Sequence, residues 1–302
     1  MRLLTRSDFD GLVCAVLLKE AGVIDSYKFV HPKDVQDGKV AATENDVVAN
    51  APFIPGCGLW FDHHLSEEER KAFPHAFKGE SRAAKSAARI IYDYYGGAAR
   101  FPRFAEMLAA VDRSDSGDLT PDEVLKPKGW ILLSFVMDPR TSLGRYKDYR
   151  ISNYQLMESL IDLCRTLSID EILALPDVKE RTKRYAEQEA LYKEMLMRNS
   201  RMDGEVLVID LRNADDIVTG NRFVEYCLFP KARTSVRIMW GVQKQNTVFA
   251  VGHSIINRSS KVNIGLLMLK HNGGGHFQVG TCQVENGRAE AVLKELLAAL
   301  NR

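Results

Sequence analysis

Apolar residues in the first half of the chain fall into short runs separated by helical stretches. The runs "MRLLT", "SYKFVHP", "DVVANAP" and "GLWFDHH" predict strands. Residues 9–22, "SRAAKSAARIIYDYYGG" and "FPRFAEMLAAVDRSD" carry helical periodicity instead. Such alternation predicts a parallel sheet with helices on both faces. Ligands of sheets of this kind sit off the carboxyl ends of the strands.

From about residue 152 to 201 the pattern is helical and ends in "DVKERTKRYAEQEALYKEMLMRNSRM". Its apolar stripe is modest and its charge high, which suits a connector between domains. A smaller unit follows, with strands at "GEVLVIDLR", "TSVRIMW", "TVFAVGHS" and "HFQVGTCQV" and helices at "GNRFVEYCLF", "VNIGLLMLKHN" and 287–301. The expected fold class is therefore α/β in two domains. A parallel-sheet domain over 1–175 is joined by a helical linker, 176–204, to a smaller mixed-sheet α/β domain over 205–302.

Composition narrows the partners. A chain of 302 residues exceeds one comfortable core, in keeping with two domains. A net charge of +1 leaves no broad basic face, so stable binding of duplex nucleic acid is not expected, while a local pocket for a small anion is. The five cysteines are scattered with no C-x-x-C pair, as in a protein with reduced thiols. With no apolar run of about 18 residues and no signal-like start, a cytoplasmic protein away from the membrane is expected.

Five stretches carry chemistry. "SDFDG" sets Asp8 and Asp10 one residue apart at the end of the first strand. Either they cap the next helix, or they converge on a cation that offsets their repulsion. "GLWFDHH" delivers Asp62, His63 and His64 to a strand end, where imidazole suits manganese, iron, cobalt or zinc and the carboxylate can orient it. "AAVDRSDSGDLT" places Asp112 and Asp115 three apart at a helix end, able to face one way. Near the C-terminus, "KHNGGGHFQVG" offers Gly273, Gly274 and Gly275, whose backbone N–H groups could approach an anion, followed by His276. Upstream, "INRSSKVNIG" adds Arg258 and Ser259, side chains suited to a phosphate.

These motifs, in this order and spread over nearly the whole chain, resemble the DHH phosphoesterase superfamily with its C-terminal DHHA1 domain, a group that includes nanoRNases and exopolyphosphatase-like proteins. The resemblance implies a binuclear, usually manganese-dependent site, with magnesium, iron or cobalt as substitutes and one or two divalent cations expected given Arg6 and Asn50, and a second domain holding the phosphate or terminal nucleotide of a small substrate. It implies Asp8, Asp10 and His63 as ligands, with Asn50 at the bridging position and Asp112 favoured over Asp115 as the last acid. His64 would contact the scissile phosphate or leaving group, Asp62 would support both histidines, and Arg258, Ser259, Gly273, Gly274, Gly275 and His276 would hold substrate. The chain departs from the family pattern at Leu4 and Arg6, where relatives carry metal-binding groups, at Asn50 in place of an aspartate, and at Phe277 in place of an arginine. Arg6 could replace a cation beside a phosphate oxygen.

The expected activity is metal-dependent hydrolysis of phosphate esters in short oligonucleotides or small nucleotides. Two alternatives stay open: an exopolyphosphatase-like hydrolase, and a nucleotide-binding regulatory protein with a decayed metal site. A homodimer is compatible with the sequence.

Overall fold

The computed structural model describes residues 1–64 and 77–302. It divides into two compact units, one of residues 1–119 and 126–186, the other of residues 120–125 and 187–302.

In the first unit five strands run in the order β2-β1-β3-β4-β5, all parallel: β1 (Arg2–Thr5), β2 (Ser26–Phe29), β3 (Asp46–Ala49), β4 (Leu59–Asp62) and β5 (Gly79–Ser81). All four residues of β3 are buried, as are Leu3 to Thr5 and Trp60 to Asp62. Strands covered on both faces read as continuous apolar runs, which is why these were visible without alternation. Trp60 anchors one side of the sheet, with the rings of Phe53 and Phe77 edge-on at 5.3 and 5.0 Å.

Helix α1 (Phe9–Glu20) is buried from Phe9 to Leu18, so it is apolar all round and not amphipathic. After the short α2 (Pro32–Gln36), it packs against α3 (Ala87–Tyr94), α5 (Ala105–Ser116) and α8 (Asn153–Thr166). Between these lie the one-turn α4 (Gly97–Arg100), α6 (Pro121–Leu125) and α7 (Gly129–Met137); α9 (Ile169–Ala174) and α10 (Pro176–Asn199) follow. The stretch 81–97, expected as one helix, begins as the end of β5 and turns helical only after Ser86. That hydroxyl accepts from Arg89 N at 3.0 Å and caps α3.

The long helix α10 contributes residues 176–186 to the first unit and 187–199 to the second. It stops earlier than the charge pattern suggested. Ser200–Asp203 form β6, which turns through Gly204 (φ +57°) to pair antiparallel with β7 (Val206–Asp210). A two-residue turn with a left-handed glycine is the geometry a hairpin demands.

The second unit is a six-stranded mixed sheet in the order β10-β11-β9-β8-β7-β6. Its further strands are β8 (Thr234–Trp240), β9 (Thr247–His253), β10 (Gly274–Gly275) and β11 (Val279–Val284), and β7 with β8 is the parallel pair. Its helices are α11 (Val224–Leu228), α12 (Ile264–Leu269) and α13 (Ala289–Leu300). Alternate residues of the strands (Val236 and Ile238, Phe249 and Val251) point to one face and meet Ile264 and Met268 of α12 and Val292 and Leu296 of α13. This is a two-domain α/β fold with one parallel and one mixed sheet, as the sequence predicted. Among the described residues no helix is long and apolar enough to cross a membrane.

Candidate metal centre

The carboxyl ends of β1 and β4 carry the acids and histidines to one edge of the parallel sheet. Asp10 sits in the first turn of α1, fully buried, and both its oxygens are engaged by the N-terminus of α3. Ala87 N donates to Oδ2 and Ala88 N to Oδ1, each at 2.9 Å. Such a carboxylate keeps lone pairs available after these two bonds. His63 Nε2 lies 3.2 Å from Asp115 Oδ2 and 3.7 Å from Asp10 Oδ2. On its far side His63 Nδ1 faces Ala84 O at 3.3 Å, which fixes the proton on Nδ1 and turns the Nε2 lone pair toward the acids.

Nε2 of His63 is buried and has no hydrogen-bond partner among the described residues. An orphaned acceptor facing two carboxylates is costly unless something cationic sits among them. One ligand atom from each of Asp10, His63 and Asp115 lies within 4.8 Å of the others. Two carboxylate oxygens and one imidazole nitrogen are a donor set suited to a manganese- or iron-type divalent ion, so the residues fit the implied metal.

Electrostatics point the same way. Burial pushes Asp10 up to about 7, with Asp115 and Asp8 adding repulsion and His63 opposing it. For His63, burial works against the proton, but Asp115, Asp10 and Asp62 outweigh it and raise its pKa. A bound cation would reverse the Asp10 shift. His64 differs: burial first, then the neighbouring His63, lower it to about 3. Its Nδ1 lies 2.7 Å from Asp62 Oδ1, a carboxylate oxygen that can only accept, so a ring proton sits on Nδ1.

Asp8 has gone elsewhere. It is the N-cap of α1, accepting from Gly11 N at 3.0 Å. The same oxygen accepts from Asn50 Nδ2 at 2.9 Å, and the other lies 3.2 Å from Arg6 Nε. Of the two readings of the "SDFDG" acids, capping is seen at Asp8, while Asp10 lies with His63 and Asp115 in a group that could hold a cation. Asn50, held at φ +51° just beyond β3, donates to Asp8 where the sequence reading gave it a ligand's place. Its amide nitrogen carries no lone pair for a metal, and the left-handed backbone that asparagine tolerates aims it at Asp8.

The pair of acids on α5 also separates. The sequence reading favoured Asp112, but the structure puts Asp115 against His63. Asp112 instead takes a two-pronged contact from Arg89, at 2.9 and 2.6 Å, and a 2.7 Å hydrogen bond from Ser86. Three residues of helix turn the two side chains to overlapping but different azimuths, and only the fold decides which meets β4. Asp112 still serves the centre at one remove: it braces Ser86, the cap of the helix whose N–H groups hold Asp10. Ala84 O, the Ala87 and Ala88 amides, Ser86 and Arg89 left no signal in the sequence, since backbone groups and a lone arginine have no motif.

The second unit's candidate residues lie around α12 and the β10 edge. The glycines serve close packing: a Cβ at Gly273 would sit 2.2 Å from Thr281 O, and one at Gly275 2.2 Å from Val279 O. Their N–H groups were expected to be open to an anion. However, Gly273 N bonds Met268 O at 2.9 Å and His276 N bonds Val279 O at 2.7 Å, because the turn continues as strand β10. Arg258 Nε bonds Ile255 O at 3.0 Å, and Ser259 Oγ bonds Asn257 at 2.7 Å. The Phe277 ring is half exposed, edge-on to His253 at 5.6 Å.

No protein-family model matches the chain, and no curated protein does. Among solved structures, one is 50% identical over 99% of this chain and 98% of its own, with a TM-score of 0.83. With the Asp-His-His triplet at the sheet edge, that relationship defines the class: the chain belongs to the DHH phosphoesterase superfamily and is a hydrolase acting on phosphate esters. The relative is the pGpG-specific phosphodiesterase PggH from Vibrio cholerae. The fold is also similar to the DHH domain of a protein described as a member of a ribosomal protein family (14% identity, 99% of this chain and 86% of that one, TM-score 0.55). A further likeness is to RecJ in complex with Mn2+ from Thermus thermophilus (13% identity, 98% of this chain and 51% of that one, TM-score 0.50).

Proposed function

We propose that this chain is a manganese-dependent phosphodiesterase of very short oligonucleotides, with pGpG as its preferred substrate. The observation that carries the chemistry is the convergence of Asp10, His63 and Asp115 around a buried imidazole nitrogen that lacks a hydrogen-bond partner among the described residues. The substrate follows from the half-identical relative, matched from end to end.

A divalent ion held by these three residues would supply Lewis acidity toward a phosphoryl oxygen and an activated water. The chain's own groups do the rest. Asp10, fixed by two helix amides, and Asp115 would supply the charge that holds such an ion. Neutral His64, oriented by Asp62, presents an acceptor nitrogen that can align the attacking water. Arg6, bridging from Asp8, stands where its guanidinium can also meet a phosphate oxygen. With Asp8 committed to Arg6 and Asn50, one ion per chain suits the geometry better than two. In the second unit, Arg258 and Ser259 are the proposed contacts for a phosphate.

The test is turnover of a pooled set read by mass spectrometry: pGpG, longer short RNA, 3′-phosphoadenosine 5′-phosphate, cyclic dinucleotides and polyphosphate, with manganese or EDTA. Manganese-dependent loss of pGpG, abolished in His63→Ala, is expected. Loss of polyphosphate alone would favour the exopolyphosphatase reading. Binding without turnover under any divalent ion would favour a regulatory nucleotide-binding protein.

A further inference from the structure

We propose that Arg140 is the phosphate clamp of this centre, its open guanidinium edge receiving an oxygen of the substrate's phosphate. The inference rests on the phosphodiesterase reading above and adds a residue that no motif contains.

Arg140 lies in the single turn Pro139–Thr141 that follows α7. Asp138 caps that turn and grips the arginine twice, accepting from Arg140 N at 2.8 Å and from Nε at 2.7 Å on the same oxygen. Its other oxygen is 3.1 Å from Nε. The Nε side of the guanidinium is therefore pinned, while the terminal nitrogens have no partner among the described residues and the side chain is 48% exposed. A planar fork fixed at one edge and open at the other is the form that binds phosphate through two parallel N–H groups with little further loss of freedom.

Its position links it to the metal ligands. Helix α7 packs on α5, and Ser134 of α7 accepts from Ser114, the residue before Asp115, at 3.1 Å. Burial works against the guanidinium's charge, but Asp138 outweighs it, and Asp8 and Asp115 add their pull, so Arg140 stands within the field of two acids of the centre. Asp138 balances its charge locally. Metal-bound Asp115 and Arg6-bound Asp8 would then leave Arg140 facing an incoming phosphate as donor.

The experiment compares wild type, Arg140→Ala, Arg140→Lys and Asp138→Asn by the affinity of the manganese-loaded protein for inorganic phosphate and by kinetics on pGpG. Manganese affinity and melting temperature serve as controls. A charge-assisted pair of this kind predicts a roughly 10- to 100-fold loss of phosphate affinity and of kcat/KM in Arg140→Ala. Arg140→Lys should recover only part of it, Asp138→Asn should weaken phosphate less, and manganese affinity should stay within about twofold throughout. If Arg140→Ala binds phosphate and turns over as wild type does, or the manganese-loaded wild type binds no phosphate, the proposal is overturned. Should Arg140→Ala fail to fold, Arg140→Lys and Asp138→Asn decide it by the same readings. A wild type that binds phosphate but leaves pGpG intact would overturn the function reading instead, and the phosphate arm would still judge Arg140.

Discussion

Arg6 Nε stands 3.2 Å from Asp8 Oδ2, an ion pair at the mouth of the first strand where the opening acids of the chain were expected to share a metal. Asn50 and the Gly11 amide occupy the other oxygen. A carboxylate so engaged has its charge compensated from within the chain.

Native mass spectrometry or manganese EPR should find one tightly held ion per chain. Two equivalent ions in the wild type would show that Arg6 does not stand in for a cation. Arg6→Ala should reduce turnover by roughly 10- to 100-fold, since it removes a donor placed at developing charge.

The two acids of α5 should part company on substitution. Asp115→Asn should abolish tight manganese binding with little change in metal-free stability. Asp112→Asn should leave a weaker but measurable metal site. It should also cost about 1–2 kcal/mol of stability, because Arg89 loses its partner and Ser86 a hydrogen bond. Calorimetric titration and denaturant melts separate these; equal loss of metal in both would contradict the geometry.

Asp10 makes a signed pH prediction. Its folded pKa, near 7, lies above the unfolded value, so the folded state holds the extra proton between about pH 4 and 7. The Asp10 contribution therefore favours the metal-free fold below that window and is lost as pH rises through it. Metal binding must displace this proton, so the rise in melting temperature on adding manganese should grow from about pH 5 to about pH 8. In Asp10→Asn that growth should shrink markedly.

At the β10 edge, Gly273→Ala forces a Cβ to 2.2 Å from Thr281 O. The atoms it meets, Thr281 O and Cys282 Cα and Cβ of β11, leave little room to yield, and destabilisation of about 1–3 kcal/mol is expected. A chemical melt that shows no change would mean that β11 yields to the added methyl group.

The sequence by itself determined the strands that are apolar throughout, the order of the motifs and the family they belong to. Buried strands and an all-apolar α1 announce themselves by composition, and the Asp-His-His triplet is contiguous in the chain. The sequence also exposed the departures at Arg6 and Asn50. What it did not determine was azimuth and partnership. Whether Asp112 or Asp115 meets His63 depends on how α5 is rotated against β4, and a rotation leaves no trace in a run of residues. That Asp10 turns to the amides of Ala87 and Ala88 depends on atoms 77 and 78 positions away in the chain, and that Asp8 meets Asn50 on atoms 42 away. Gly273 to Gly275 were read as a turn open to an anion, yet tertiary pairing with β11 claims part of that backbone. Local pattern fixes which residues are apolar, flexible or charged; only packing of distant segments decides which lone pair is left without a partner.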